Sequence, residues 1–555
     1  MKQKRRWLPF VLFLLLFQAL PAAAESKPSG DRVDALIKAM PLEAKAGQVL
    51  VGFFRGDSVT PSLRSMIGRI RPGGMVLYSS TGNIVNPDQV TRLTRSLQEA
   101  AASADAVPLF IAVDQEGGRV NRLTRGVTVF PGNMALGATA DPELAAKAAG
   151  VTARELRTLG ITVNFAPVAD VLLNPANPVI GTRSFGSDPG LVARMACAMV
   201  APAAAEGVLC VAKHFPGHGN TSVDSHYGLP VDDSPLEVLE KFHLAPFGAL
   251  VKAGVPALMT AHVSVPELDQ RNPFPATLLP KTYAVLREKL GFRGLIVTDS
   301  LGMKALDRYW SIEETAVLAL QAGADLLLLG ADPGHDPEEL ESIHRALVSA
   351  VLTDRIQRSR LDEAVRRILK AKEALNILDD PGPRPERLGE LGSPENLALA
   401  ETIARRALTV AWNRFERFPA AEGEKPKILL WPLEKADQAS ALLGTAPGLK
   451  PLFVSLSLRP EDIDGILGGI EGEEPVYVWA GDLGNFPSWK DLAQRLENRA
   501  VLLATGSPIG LSLCPKAGAA VAVYSEVPVS LKALGDFLRA PWPPTGRLPL
   551  AVPGL

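Results

Sequence analysis

Residues 207 to 230 read GVLCVAKHFPGHGNTSVDSHYGLP, and this stretch combines an apolar run with a polar, histidine-containing loop. The apolar run Gly207 to Ala212 is typical of a buried strand, and a polar loop from Lys213 to Pro230 follows it directly. That loop holds three of the chain's seven histidines and three glycines. Glycine lets a backbone turn tightly beside a ligand, and histidine exchanges protons near neutral pH. The stretch therefore predicts a strand whose carboxyl end opens into a chemically active loop.

The same arrangement recurs along the first part of the chain. Apolar runs alternate with amphipathic helical segments between residues 31 and 375. Eight runs are strand candidates: Gln48 to Phe54, Gly74 to Tyr78, Leu109 to Val113, Thr162 to Pro167, Val208 to Ala212, Ala257 to Ala261, Leu295 to Thr298 and Ala324 to Leu329. Eight strands with intervening helices predict an α/β fold of the (β/α)8 TIM-like barrel type.

Ionisable residues stand at the ends of five of these runs. They are Asp114, Asp170, the pair Lys213 and His214, His262, and Asp299. In such a barrel these positions share the carboxyl-end face, where active sites are built. A buried strand needs no ionisable residue at its end, so the repetition favours one common site.

A second unit follows the barrel. The segment 376–395 is rich in proline, glycine and charge and is interpreted as a linker. Residues 396–555 are predicted to form a smaller α/β sandwich domain, with a helix near 397–411 and four strand-like runs at 427–431, 475–479, 501–504 and 519–524. This part of the sequence has no histidine. We find no catalytic constellation in it.

The first 24 residues have the layout of a secretory signal peptide. A basic start, MKQKRR, precedes the apolar run Trp7 to Leu20, and an A-x-A site ends at Ala24. The apolar run is short for a membrane span. We therefore expect an exported protein, periplasmic or extracellular, that keeps no stable membrane span after cleavage.

Composition excludes some classes of partner. The net charge of −2 and hydrophobic content of 47% are those of an ordinary globular protein, and nothing favours binding of nucleic acid. The three cysteines form no disulfide framework, and Cys197 and Cys210, which lie in apolar contexts, are interpreted as buried inert thiols. The sequence does not decide the oligomeric state.

The histidine loop allows three interpretations. Asp224 and His226 are two residues apart, so the carboxylate can bind one ring nitrogen and raise the basicity of the imidazole, which favours catalysis. A metal site is the second interpretation, with His214, His218, Asp224 and His226 as possible ligands, although the familiar zinc spacings are absent. A purely structural glycine-rich loop is the third.

Four motifs resemble those of glycoside hydrolase family 3. They are AVDQEGGRVNRL at 112–123, GTRSFG at 181–186, KHFPGHGNTSVDSH at 213–226 and IVTDSLGM at 296–303. The Asp-x-His pair resembles more narrowly the bacterial β-N-acetylglucosaminidase branch. The second domain, with GSPIGL at 506–511 and GRLPLAVP at 546–553, is more weakly similar to the C-terminal α/β sandwich domain of that family.

The resemblance implies a role for each matched residue. Asp299 would be the nucleophile, and His226, with Asp224 as its partner, would be the general acid/base. Five further residues would bind the terminal sugar: Asp114, Arg122, Arg183, Lys213 and His214. His218 is assigned only to the architecture of the loop. From the residues alone, a helix cap remains possible for both Asp114 and Asp299, and a loop-holding salt bridge for either arginine.

The implied activity is exo-acting, retaining release of N-acetylglucosamine from peptidoglycan fragments or chitin-type oligosaccharides, without metal or other cofactor. Three alternatives stay open: a family 3 β-glucosidase, a metal-dependent barrel hydrolase, and a non-catalytic cell-wall binding protein. Cytoplasmic recycling relatives lack a signal peptide, so export leaves the natural substrate open. The choice between water and phosphate as acceptor is open as well.

Overall fold

The computed structural model describes residues 29–269, 274–416, 418–419 and 427–553. The predicted signal peptide, 1–24, lies outside these residues. Within them, none of the helices has the length and apolar character needed to cross a membrane.

Eight parallel strands form the sheet of the first domain. They are β1 (Leu50–Gly52), β2 (Gly74–Val76), β3 (Phe110–Val113), β4 (Val163–Asn164), β5 (Leu209–Phe215), β6 (Ala257–Thr260), β7 (Leu295–Thr298) and β8 (Leu327–Leu328). The strands lie in the order β8-β1-β2-β3-β4-β5-β6-β7. A parallel bridge between Val297 and Leu326 joins the two ends of the sheet. The predicted (β/α)8 barrel is confirmed, and each predicted run overlaps one strand.

Helices surround this sheet and cover the second one. In the first domain they are Ser29–Ala39, Leu42–Gln48, Pro61–Ile70, Pro87–Ala102, Asn133–Thr139, Pro142–Thr158, Pro189–Ala205, Leu236–Val238, Ala245–Lys252, Pro280–Ala284, Lys304–Asp307, Ile312–Ala322, Glu339–Leu352 and Arg358–Ala374. Those of the second domain are Pro394–Ala407, Ala436–Leu443, Ile463–Gly468, Pro487–Arg495 and Pro528–Arg539.

Several helices begin at a polar cap followed by proline. Asn86, Asp141, Asp188 and Ser393 each accept a hydrogen bond from a backbone N–H of the first turn, and the next residue is proline in all four cases. The cap accepts a hydrogen bond from a backbone N–H that has no acceptor inside the helix. Proline fits the first helical position because it has no backbone N–H that would be left without an acceptor. Local sequence therefore sets where these helices start.

Strand β5 is longer than the sequence predicts. It runs to Phe215, so Lys213 and His214 lie within the strand and not in the loop after it. All seven residues of the strand are buried. The predicted strand stopped at Ala212 because polar residues usually indicate a loop. Here the two polar side chains are instead buried, and each has a partner in the site.

The second domain contains a six-stranded sheet. Its strands are β9 (Thr409–Asn413), β10 (Lys427–Pro432), β11 (Leu449–Val454), β12 (Val476–Trp479), β13 (Ala500–Ala504) and β14 (Ala519–Ala522). They lie in the order β9-β14-β13-β12-β10-β11, with only β9 antiparallel to its neighbour. The predicted α/β sandwich is confirmed.

Two details of this domain differ from the prediction. The helix expected over 397–411 ends at Ala407, because the β-branched and aromatic residues that follow form β9. Strand β11 was not predicted. It lies at the edge of the sheet, contains Pro451 and leaves much of its surface exposed, so its sequence lacks the apolar run typical of a central strand.

The segment predicted as a linker is held against the barrel. Arg157 donates to the backbone carbonyls of Asp380 and Gly382, and Glu155 accepts from the backbone N–H of Gly392 at 2.9 Å and from Asn396 Nδ2 at 3.1 Å. Both barrel side chains are almost fully buried. The exact boundaries at 375 and 396 stay predictions.

Candidate active site

The candidate site lies where the carboxyl ends of the barrel strands converge. Lys213 and His214 are on β5, and Asp114 and Asp299 directly follow β3 and β7. Neither aspartate caps a helix. Asp114 is followed by a short hairpin of 115–117 and 120–121, and Asp299 accepts a hydrogen bond from the backbone N–H of Ser300.

Lys213 joins two carboxylates at the centre of the site. Its Nζ lies 2.8 Å from Asp114 Oδ1 and 2.8 Å from Glu116 Oε1, and its side chain is only 3% exposed. Burial alone would lower the pKa of Lys213, but the two carboxylates outweigh burial and raise it. The ammonium group is therefore held charged, with a fixed position for donation to a ligand.

Arg183 makes a two-pronged ion pair with Glu116. Its Nε donates to Oε2 at 2.9 Å and its Nη2 to Oε1 at 2.8 Å. Burial alone would raise the pKa of Glu116, but Arg183 and Lys213 hold it well below its ordinary value of 4.5. Glu116 is thus a buried anion that orders both sugar-binding candidates.

Arg122 completes the polar wall next to Asp114. Its Nη2 lies 3.2 Å from Asp114 Oδ2, and its guanidinium lies 5.5 Å from the ring centroid of Tyr78. Both arginines therefore make salt bridges, as one alternative proposed, but their partners are carboxylates of the site itself. The wall presents cationic donors and one accepting carboxylate, which is the mixture that sugar hydroxyls bind.

His214 is oriented by a buried aspartate. Its Nδ1 lies 2.6 Å from Asp170 Oδ2, and the same carboxylate accepts the backbone N–H of His218 at 2.7 Å. The other ring nitrogen of His214, Nε2, lies 3.3 Å from Arg183 Nη2. The position of the imidazole is therefore fixed from both sides.

The surroundings of Asp299 keep its carboxylate ionised. Burial alone would raise the pKa of Asp299, but His214, His262 and Lys213, with the N–H of Ser300, lower it to about 2. Its backbone N–H donates to the carbonyl of Thr260 at 3.1 Å, which fixes it to the end of β6. A rigid, ionised carboxylate suits a nucleophile.

Asp224 and His226 form a hydrogen-bonded pair within the loop. Asp224 Oδ1 lies 2.7 Å from His226 Nδ1 and accepts the backbone N–H of His226 at 2.9 Å. The hydrogen bond to Asp224 raises the pKa of His226 despite partial burial. The side chain of His226 is 53% exposed, so its Nε2 is accessible to an incoming ligand.

His218 is enclosed in the loop. Its Nδ1 lies 2.7 Å from Thr221 Oγ1 and its Nε2 lies 3.3 Å from Ser225 Oγ, and burial lowers its pKa to about 4. The three loop histidines thus have different partners. Among the described residues, no three side chains of the types His, Cys, Asp and Glu are arranged to hold a metal ion.

Three residues of the site were missed or left unassigned by sequence reasoning. Glu116 lies inside a quoted motif, and Asp170 was noted only as a strand end. Asp332, just after β8, accepts a hydrogen bond from Ser300 Oγ, and burial together with Asp299 raises its pKa. Extending the search for polar strand ends to the eighth run would have found Asp332.

Replacing Glu116 by glutamine should destabilise the barrel. The change leaves two buried cations without their shared anion, and breaking such a pair costs about 3 kcal/mol of unfolding free energy. Because the native pKa of Glu116 is lowered, this contribution is present above pH 4.5 and is lost as the pH falls. Urea unfolding of the wild-type protein and of Glu116→Gln between pH 3 and 7 measures this difference in unfolding free energy.

The matched control is Glu143→Gln. Glu143 pairs with Lys147 on the surface of a helix, and its side chain is 73% exposed. Little change is expected there, because exposed ion pairs contribute little. Equal losses for the two variants would contradict the assignment of Glu116 as the central anion.

Comparisons with known proteins agree with this geometry. A family model described as the glycosyl hydrolase family 3 N terminal domain matches residues 42–371. Beta-hexosaminidase A of Pseudoalteromonas piscicida is 36% identical over 374 residues, which is 64% of this chain and 62% of that relative. The chain thus spans less than two thirds of that relative's length.

Two further proteins are covered more completely. Beta-hexosaminidase of Nitrosomonas eutropha is 36% identical over 57% of this chain and 90% of its own length. The solved structure of a glycoside hydrolase family 3 beta-N-acetylglucosaminidase from Paenibacillus sp. str. FPU-7 is 34% identical, covers 93% of this chain and 99% of its own, and superposes with a TM-score of 0.84. The last of these similarities extends over both domains.

Proposed function

Because the chain belongs to glycosyl hydrolase family 3, we propose that it is an exo-acting, retaining β-N-acetylglucosaminidase. One observation carries the proposal: the hydrogen-bonded pair Asp224 and His226 lies in the loop after β5, at the barrel face that holds the ionised Asp299. The names of the relatives, beta-hexosaminidases and a beta-N-acetylglucosaminidase, support the same activity.

In the first step, Asp299 attacks the anomeric carbon of the terminal sugar. A carbon–oxygen bond forms to the carboxylate while the glycosidic carbon–oxygen bond breaks, and the leaving oxygen takes the proton from His226 Nε2. Nδ1 of the same ring is bound to Asp224, so Nε2 is the nitrogen that is free to act. Lys213, Arg122 and Arg183 donate hydrogen bonds to the sugar.

In the second step, His226 works in the opposite direction. The now neutral imidazole takes a proton from water, whose oxygen attacks the anomeric carbon and releases Asp299. Two inversions leave the product in the β configuration.

An imidazole suits this double task because its ordinary pKa, 6.5, already lies near working pH. The upward shift caused by Asp224 favours the protonated form, which the first step needs. A carboxylic acid in the same place would need a much larger shift, of the kind that deep burial provides. The exposure of His226 therefore fits an imidazole better than a carboxyl group.

The proposal also covers where the protein acts and on which polymers. The basic and apolar beginning of the sequence with its A-x-A site supports export, so that peptidoglycan fragments or chitin-type oligosaccharides outside the cytoplasm are the proposed substrates. An exported protein meets these polymers directly.

Paired chromogenic substrates test the activity. Purified mature protein should cleave a β-N-acetylglucosaminide and leave the matching β-glucoside nearly untouched, with equal rates in the presence and absence of EDTA. Cleavage of the glucoside alone would assign the protein to another branch of the family. Loss of activity with the chelator and its recovery with zinc would favour a metal-dependent hydrolase. Failure to cleave either substrate would favour a binding protein.

A further inference from the structure

The last residues of the second domain reach back to the barrel. The backbone N–H of Ser187 donates to the carbonyl of Pro549 at 3.0 Å, and the N–H of Arg547 donates to the carbonyl of Ala138 at 3.0 Å. Leu550 and Val552 are 6% and 5% exposed and belong to the core of the second domain. We call residues 546–552 the C-terminal segment. It is anchored in one domain and hydrogen-bonded to the other.

The two backbones pack tightly at Gly186. A Cβ atom at this position would lie 2.1 Å from the carbonyl oxygen of Pro549, and the backbone has φ +152°. Any side chain would displace one of the two backbones. The contact therefore depends on glycine and holds the barrel chain directly against the C-terminal segment.

Gly186 ends the barrel loop that carries Arg183. The loop runs from Leu172 to Gly186, and its ends are joined by a hydrogen bond of 3.0 Å from the N–H of Leu172 to the carbonyl of Gly186. Leu172, together with Val179 and Ile180, is buried in the same apolar cluster as the core of the second domain. Much of the support for this loop thus comes from outside the barrel.

The loop is also coupled to the aspartate that orients His214. Ser184 Oγ donates a hydrogen bond to the carbonyl of Asp170 at 2.6 Å and lies 2.9 Å from the carbonyl of Gly186. Asn133 Nδ2 donates to the carbonyl of Arg183 at 2.8 Å. A shift of the loop would therefore displace Arg183 and, through Asp170, the side chain of His214.

We propose that the second domain positions the sugar-binding loop 172–186, and through it Arg183, by means of the C-terminal segment. The inference rests on the proposed function, because Arg183 is taken to bind the terminal sugar. It gives the second domain, whose sequence has no histidine, a part in substrate binding without chemistry of its own. The residues of the segment act through Arg183 and are positioning residues.

The test compares the full-length protein with the double variant Leu550→Ala and Val552→Ala. Removing these side chains leaves cavities that loosen the anchor of the segment. KM for the chromogenic β-N-acetylglucosaminide should rise about tenfold while kcat changes little, because a misplaced binding group weakens substrate and transition state alike. Amide hydrogen exchange of loop 172–186 should become faster. Gly186→Ala, made in the barrel, should have the same two effects.

The control variant is Leu452→Ala with Phe453→Ala. These side chains are 39% and 38% exposed on β11, the edge strand of the second sheet farthest from β9 in strand order. Neither KM nor the exchange of loop 172–186 should change. The control shows whether truncating two apolar side chains elsewhere in the second domain is enough to change KM or loop exchange.

A double-mutant cycle with Arg183→Lys shows whether the effect runs through Arg183. The Leu550→Ala and Val552→Ala changes should add little to KM in the Arg183→Lys background. Additive effects, or unchanged exchange of loop 172–186, would overturn the inference. If the wild-type protein cleaves neither test sugar, the proposed function fails, while hydrogen exchange still decides whether the segment supports the loop.

Discussion

Replacing Asp299 by alanine is expected to reduce turnover of a β-N-acetylglucosaminide by about 10⁴-fold or more, because the first bond-forming step loses its nucleophile. The carboxylate is ionised at working pH, since its pKa is lowered to about 2. No proton has to be removed before it attacks. Steady-state rates of the wild-type and variant proteins on the same chromogenic substrate measure the loss.

Azide separates loss of a nucleophile from loss of structure. In Asp299→Ala the space of the carboxylate can admit a small anion, which would attack the anomeric carbon once and give the α-glycosyl azide from a substrate with an activated leaving group. Recovery of rate with this inverted product is the expected result. Asp336→Ala is the matched control, because Asp336 lies on the loop after β8 with its side chain 72% exposed. Full residual activity of Asp299→Ala without azide would contradict its role.

The barrel was predictable because its strands repeat one local pattern. Buried parallel strands appear in sequence as short apolar runs, and each of the eight runs overlaps a strand of the structure. The location of the candidate site followed from the same pattern, since polar residues at equivalent strand ends must share one face. The pairing of Asp224 with His226 was also local, because two residues of separation suffice for the hydrogen bond.

The contacts that could not be predicted join residues far apart in sequence. Glu116 meets Arg183 across 67 residues and Lys213 across 97, and neither spacing leaves a local pattern. The support of loop 172–186 by residues near 549 depends on the packing of two domains. Sequence periodicity reports which face of an element is buried, but it does not report which distant element covers that face.

Replacing His226 by alanine is expected to depend strongly on the leaving group. A sugar leaving group needs a proton as its bond breaks, so hydrolysis of an N-acetylglucosamine oligosaccharide should fall by about 10²- to 10⁴-fold. An activated aryl leaving group departs without that proton. The first step with such a substrate should therefore stay fast, while the second step becomes slow because water has lost its base.

Rapid-mixing kinetics would reveal this difference as a burst. His226→Ala should release about one equivalent of the activated phenol per active site before the slow steady state, and the intermediate should add the mass of one sugar to the protein. His344→Ala, on the outer helix Glu339–Leu352, is the matched control and should behave as wild type. Absence of a burst together with a slow first step would contradict the acid/base assignment.

The pH profile gives an independent measure of the same group. The wild-type kcat/KM should fall as the pH rises through a value above 6.5, because His226 must be protonated for the first step and Asp224 raises its pKa. Asp224→Asn should move this fall to lower pH, because the charge that holds the proton is gone. His226→Ala should lose it altogether. If the fall of kcat/KM at high pH were unchanged in either variant, it would have to be assigned to another titrating group.

Azide also distinguishes the two roles by stereochemistry. In His226→Ala the intermediate on Asp299 still forms, so azide must attack the face opposite the carboxylate, and the product should be the β-glycosyl azide. In Asp299→Ala no intermediate forms, so a single attack gives the α-glycosyl azide. Opposite anomers from two variants of one site would follow only if Asp299 and His226 act on opposite faces of the same anomeric carbon, as a retaining mechanism requires. The same anomer from both variants would contradict at least one of the two assignments.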